Sequence, residues 1–145
     1  MYFDVKFEKD KNEWKKFEND AADIFEGFDY TVYRDVRFKT TRRFQIDFIA
    51  KNDKRRFFVD CKNHAYIPPE KEYNFAKMQL KRAENFIDEE RTKDIKNIIL
   101  LVTRHRTNSL ALHNEGNGKI FSVDYKSLPT LLRDIEIYEN ELFTF

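Results

Sequence analysis

The chain has 145 residues, 41% of them hydrophobic, with 15 Phe and 7 Tyr, which suits one folded domain over residues 1–145 and not a disordered chain. Its single cysteine, Cys61, excludes an internal disulfide and a cysteine-rich zinc module. No apolar run is long enough to span a bilayer, so a soluble, cytoplasmic protein without membrane partners is expected. The net charge of only +1 argues against a protein that coats nucleic acid at large, so the distribution of charge matters more than its sum.

Residues 2–7 alternate Phe3, Val5 and Phe7 with polar neighbours, as in a short edge strand or a segment laid over the core. From Lys11 to Phe28, Trp14, Phe17, Ala21, Ile24 and Phe25 recur at helical spacing, with Gly27 suited to the end. Glu18 falls on the flank of that stripe, where a carboxylate needs a partner such as a lysine. Tyr30 to Phe38 alternates like a strand. Arg34, Arg37, Lys39, Arg42 and Arg43 follow one another closely, then Lys51, Lys54, Arg55 and Arg56. These cations are either solvated strand ends and turns or a phosphate-contacting rim.

Phe44 to Lys62 reads as two strands joined by a tight turn at Asn52, Asp53 and Lys54. With Asp53 and Lys54 at the centre of the turn, Asp47 lies opposite Asp60. Directly opposed side chains in an antiparallel pair stand roughly 4.5–5.5 Å apart at Cβ, so two carboxylates there repel unless a cation sits between them. Lys62 leaves the strand on the same face as Asp60. Asp47, Asp60 and Lys62 together have the make-up of a metal site with an ammonium beside it.

After a loop that carries His64 and ends in Pro68-Pro69, Glu70 to Glu90 reads as a second helix with Phe75, Ala76, Ala83, Phe86 and Ile87 inward. Gln79 lies within that apolar face and must find hydrogen-bond partners. Lys77, Lys81 and Arg82 are either solvated helix cations or DNA contacts. Asn97 to Thr103 is a continuous apolar run, the mark of a strand buried on both faces, and it implies a right-handed crossover from the hairpin. Arg104-His105-Arg106 opens the loop at its end, a place where α/β sheets tend to bind ligands. Ser109 to His113 suggests a short helical turn, Asn114 to Gly118 a loop, Lys119 to Asp124 a strand, and Ser127 to Ile135 a short helix. The closing segment IYENELFTF is rich in apolar side chains for a tail and suits packing on the core or a dimer contact.

Ile46-Asp47, a short hairpin, then Asp60-Cys61-Lys62, placed in a chain of this element order, resembles the PD-(D/E)XK nuclease superfamily. Its members include type II restriction endonucleases, Mrr-like restriction enzymes and archaeal Holliday junction resolvases. The resemblance runs over roughly residues 11–124. It implies an α/β restriction endonuclease-like core, a mixed central sheet flanked by helices in the order α-β-β-β-α-β-β-α. It also implies a metal-dependent endonuclease acting on DNA phosphodiester bonds. Asp47, Asp60 and the Cys61 backbone carbonyl would hold Mg²⁺ or Mn²⁺, since hard oxygen donors suit those ions and not zinc. Lys62 would steer the attacking water, Glu18 would complete the acidic cluster and bind a second metal or a metal through water, and Gln79 would reach toward the site. Arg37, Lys39, Arg42, Arg43, His64, Arg104 and Arg106 are the candidate DNA contacts. Two departures stand out: Phe44-Gln45-Ile46 occupies the place where many relatives carry a glycine, and Ala83 stands where the QxxxY version has its tyrosine. Relatives often act as dimers, so a homodimer is a further expectation. The alternative is a nuclease-like domain that binds nucleic acid or a partner protein without cutting. Phosphate-binding Walker loops, Gly-rich dinucleotide fingerprints and serine nucleophile elbows are absent, and no nucleotide cofactor is expected.

Overall fold

The computed structural model describes residues 2–64, 67–90, 95–104, 110–115 and 118–142, with residues 2–11, 88–90, 110 and 139–142 as backbone only. The order is α1 (Tyr2–Gly27), β1 (Thr31–Lys39), β2 (Arg43–Lys51), β3 (Arg55–Lys62), α2 (Pro69–Glu90), β4 (Lys96–Thr103), β5 (Leu110–Glu115), β6 (Gly118–Asp124), a 3-10 turn at Tyr125–Ser127, α3 (Leu128–Arg133) and α4 (Ile135–Leu142). Six strands form one sheet in the order β1-β2-β3-β4-β6-β5. β1, β2 and β3 are antiparallel neighbours, β3, β4 and β6 run parallel, and β5 pairs antiparallel with β6. The expected mixed α/β architecture and element order are present, with β5 as an added edge strand. No helix among the described residues is long and apolar enough to cross a membrane.

One sheet face is covered by α1 and α3 and the other by α2, giving two apolar layers. Phe25 is the hub of the first layer. Its ring meets Tyr30, Phe48 and Phe57 edge-on at 5.1–5.6 Å, a favoured aromatic geometry. In the second layer Ala76, Leu80 and Ala83 of α2 lie against Ile46, Ile49, Phe58, Ile99 and Ile120. β4 is buried at every position from Asn97 to Thr103, as its unbroken apolar run requires.

Three local readings are corrected. Residues 2–7 are helical and extend α1 backward, because Phe3 and Phe7 also fit helical spacing and no Gly or Pro stands before Gly27. The Ser109–His113 segment contains no described helical turn; Leu110–Glu115 pairs with β6, where backbone pairing at a sheet edge outweighs a weak local pattern. Trp14, expected in the buried stripe of α1, is 43% exposed. α1 ends at Gly27, as expected, and the left-handed residue comes two positions later, at Asp29 (φ 68°).

The expected hairpin register holds, with Lys51 opposite Arg56 and Phe48 opposite Val59. The Asn52 side chain accepts from the Lys54 and Arg55 amides and fixes the turn. The ladder stops there, one position short of Asp47 and Asp60. On β2, Phe48 and Ala50 join the α1 layer, whereas Ile46 joins the α2 layer. Residues two apart in a regular strand share a face, so the strand changes phase at Asp47. β1 does the same: Val32 packs with the α1 layer, Val36 and Phe38 with the α2 layer. Between them lies Asp35, at φ 50° and outside the β1–β2 pairing along with Asp47. The β1–β2 ribbon therefore turns over and leaves β3 at this level, opening a cleft beside the end of β3.

Phe57→Ala, which empties the ring that contacts both Phe25 and Tyr30, should cost about 3–5 kcal/mol in urea unfolding; a loss under about 1 kcal/mol would show that this layer is not close-packed.

Candidate active site

Side chains from four elements, β2, β3, α1 and α2, meet here. Where β2 departs, the Cys61 N–H would lose a ladder partner, and the Asp47 carboxylate takes it instead at 2.8 Å. Asp60, on the next register position of β3, is 4% exposed. Its carboxyl lies in hydrogen-bonding reach of Asp47. Burial, and then the Asp60 charge, push the Asp47 carboxyl up to about 8, although the Cys61 N–H works the other way. Ionising Asp47 beside Asp60 is therefore disfavoured.

Two cations attend Asp60. Lys62 Nζ is 3.3 Å from Oδ2 and Arg82 Nη1 is 3.7 Å from Oδ1. Oδ2 nevertheless has no hydrogen-bond partner among the described residues, so the Lys62 contact is an ion pair by distance without hydrogen-bond direction. Lys62 also stands 4.3 Å above the Phe75 ring, a cation–π contact that fixes the ammonium in the cleft. Gln79 is fully buried; its Oε1 is 3.4 Å from Arg82 Nη1, and its Nε2 has no partner among the described residues. Leaving a buried amide donor unpaired costs about 1–3 kcal/mol.

Glu18 approaches from α1. Its carboxyl is raised, first by burial, against the pull of Lys15 at 3.5 Å, and raised further by Asp60. The boundary pairing with a lysine and the nearness to the acidic pair both occur. No group of three or more His, Cys, Asp or Glu side chains able to hold a metal ion occurs among the described residues. Glu18 thus adjoins the Asp47–Asp60 pair without joining it.

Trp14 was not legible as a site residue, yet its Nε1 donates to the Cys61 carbonyl at 3.2 Å. A carbonyl oxygen has two lone pairs, so one remains. The available donors are then two carboxylates and a carbonyl, all hard oxygens, with one carboxylate oxygen lacking a hydrogen bond. That set fits a small hard divalent cation. Arg82, read in the sequence as one of several helix cations, is the other addition; its spacing of three from Gln79 puts both on one helix face.

The basic rim is divided. Arg37, Lys39 and Arg43, with Phe38, Phe44 and Gln45, line a cleft of ≈ 530 Å³ at the far end of the β1–β2 ribbon. Arg42 lies 4.8 Å over the Phe44 ring. Arg37 pairs with Asp35 at 3.2 Å. Arg34 instead binds Asn19, Asp23 and Glu26 and ties β1 to α1. His64 is exposed, lies nearly parallel to the Phe75 ring, and is kept below its ordinary pKa by burial and by Lys62. Arg104 donates to Asn63 at 3.0 Å on the α1 side of the cleft. Arg106 and His105 lie outside the described residues.

The nuclease-related domain family, NERD, matches residues 13–125. The solved structure of AF1548, described as a protein of unknown function, matches with 19% identity and a TM-score of 0.44, over 66% of this chain. This chain spans 50% of that one. No curated protein matches.

A carboxyl whose pKa is higher folded than unfolded stabilises below its unfolded value, and that stability is lost as the pH rises through the folded value. The metal-free protein should therefore lose stability to urea as pH climbs from about 4 toward 8, and Asp47→Asn should flatten this loss. Parallel pH profiles for wild type and variant would contradict a protonated Asp47.

Proposed function

As a member of the nuclease-related domain family, to which this chain belongs, we propose that the protein is a divalent-metal-dependent endonuclease hydrolysing phosphodiester bonds in DNA. The observation that carries this reading is the pairing of Asp47 with the buried Asp60, at the point where β2 leaves β3, with the Lys62 ammonium 3.3 Å away. Asp47, Asp60 and the free lone pair of the Cys61 carbonyl would hold Mg²⁺ or Mn²⁺. Such an ion supplies a Lewis acid for the scissile phosphate and lowers the pKa of an attacking water.

The side chains around it have separable tasks. Lys62, steadied by the Phe75 ring, orients the water and offsets charge developing on the phosphate. Arg82 faces the Asp60 carboxylate from α2, with Gln79 Oε1 beside its guanidinium, and would suit the non-bridging phosphate oxygens. Glu18 orders water at the α1 side. Arg37, Lys39, Arg42 and Arg43 make a positive ribbon end for the duplex backbone, with His64 and Arg104 nearer the cleft.

A second reading, a nuclease-like domain that binds without cutting, draws on Lys62 and Arg82, which already balance Asp60. Incubation of labelled duplex, flap and four-way DNA with Mn²⁺ separates the two. Cutting should appear with metal, vanish with a chelator, and fall at least about a hundredfold in both Lys62→Ala and Asp60→Asn. Binding without cleavage of any substrate would favour the second reading; cleavage that survives in both variants would move the site elsewhere.

A further inference from the structure

Trp14 is the molecule's sole tryptophan, and 43% of it faces solvent at the mouth of the cleft. An apolar ring of this size is not left half open without cost. Its position is also fixed: the Nε1–H is tied to the carbonyl of Cys61, the residue between Asp60 and Lys62 on β3.

A groove of ≈ 470 Å³ is lined by Glu13, Lys16 and Phe17, the neighbours of Trp14 along α1. Lys62 pairs with Thr103 and Thr103 with Asp124 across the parallel strands, so the next residues, Asn63, Arg104 and Tyr125, stand in a row at the strand ends. All three line the groove, under Phe17 of α1. Exposed cations border it at Lys16, Arg104 and Lys126, against two acids, Glu13 and Asp20. Tyr125 packs on Phe17 at 5.4 Å between rings. Aromatic surfaces interleaved with cations along a narrow track are what single-stranded nucleic acid binds: bases stack on the rings and phosphates meet the cations. A paired duplex offers no free base face to a ring held at its edge.

We propose that this groove is a subsite for a single-stranded segment of nucleic acid flanking the scissile phosphate. Trp14 stacks its first unpaired base, and Arg104 and Lys126 hold the backbone beyond it. The substrate class is then a nucleic acid with an unpaired stretch at the cut, such as a flap, a fork or a single strand, and not an uninterrupted duplex. This rests on the nuclease reading for the position of the scissile phosphate.

Binding can be read without cleavage. With the wild-type chain in chelator, Trp14 emission should be quenched saturably by a short oligothymidylate, and at least tenfold more oligonucleotide should be needed as blunt duplex. Anisotropy of a dye-labelled oligothymidylate should show Trp14→Ala weakening binding roughly tenfold or more, Trp14→Phe retaining most of it, and Arg104→Glu with Lys126→Glu weakening it further. Unchanged emission with the single strand, equal quenching by duplex, or equal loss in Trp14→Phe and Trp14→Ala would overturn the subsite. Metal-dependent cutting of duplex with silent Trp14 emission would sink this inference and leave the nuclease reading standing. Quenching by single strand in a protein that cuts nothing would support the subsite and sink the nuclease reading.

Discussion

Two carboxylates held together out of water cannot both carry charge without a cation beside them, and the site of this protein is built around that constraint. Asp47 and Asp60 meet because β2 and β3 are in register up to Phe48 and Val59 and then part. The parting supplies the cleft, and the carboxyl of Asp47 repairs the break by accepting the Cys61 amide. The repulsion is met in two ways: the Asp47 carboxyl is pushed well above the usual carboxylate range, and Lys62 and Arg82 stand against Asp60. On the proposed reading, a divalent ion held by both carboxylates would relieve the same repulsion.

The fold makes this arrangement affordable by separating rigid from open regions. β3 and β4 lie at the centre of the sheet between two apolar layers, and the aromatic hub at Phe25 fixes α1 against β2 and β3. α2, packed through Ala76, Leu80 and Ala83, brings Gln79 and Arg82 to the other side of the same strand. The small alanines allow the helix to lie close to the sheet, which a polar side chain as short as Asp60 needs if it is to be reached. The ribbon of β1 and β2 turns over at Asp35 and Asp47, so its basic end projects past the cleft while its other end stays in the core. The family match covers residues 13–125 of this fold.

Much of this was legible in the sequence because it rests on strong periodicities. The alternation around the turn at Asn52 fixed the hairpin register. The run from Asn97 to Thr103 identified the doubly covered strand, and the apolar face of α2 singled out Gln79. What escaped depends on departures from periodicity. A helical wheel counts Trp14 as an inward residue, but the decisive fact is a hydrogen bond to a carbonyl on another element. The phase changes at Asp35 and Asp47 invert which residues face which layer, and no window of alternating residues carries that information. β5 is an edge strand specified by pairing with β6, and its short polar segment has little pattern of its own. Arg82 looks like any solvated helix cation until the distance to Asp60 is known.

Calorimetric titration of the metal-free protein with Mn²⁺ at neutral pH, in two buffers of different ionisation enthalpy, tests the central claim most directly. An Asp47–Asp60 pair that shares a proton and accepts a divalent ion predicts saturable binding with release of about one proton per metal, and loss of that binding in Asp60→Asn. No saturable binding, or binding that releases no proton and survives Asp60→Asn, would contradict it.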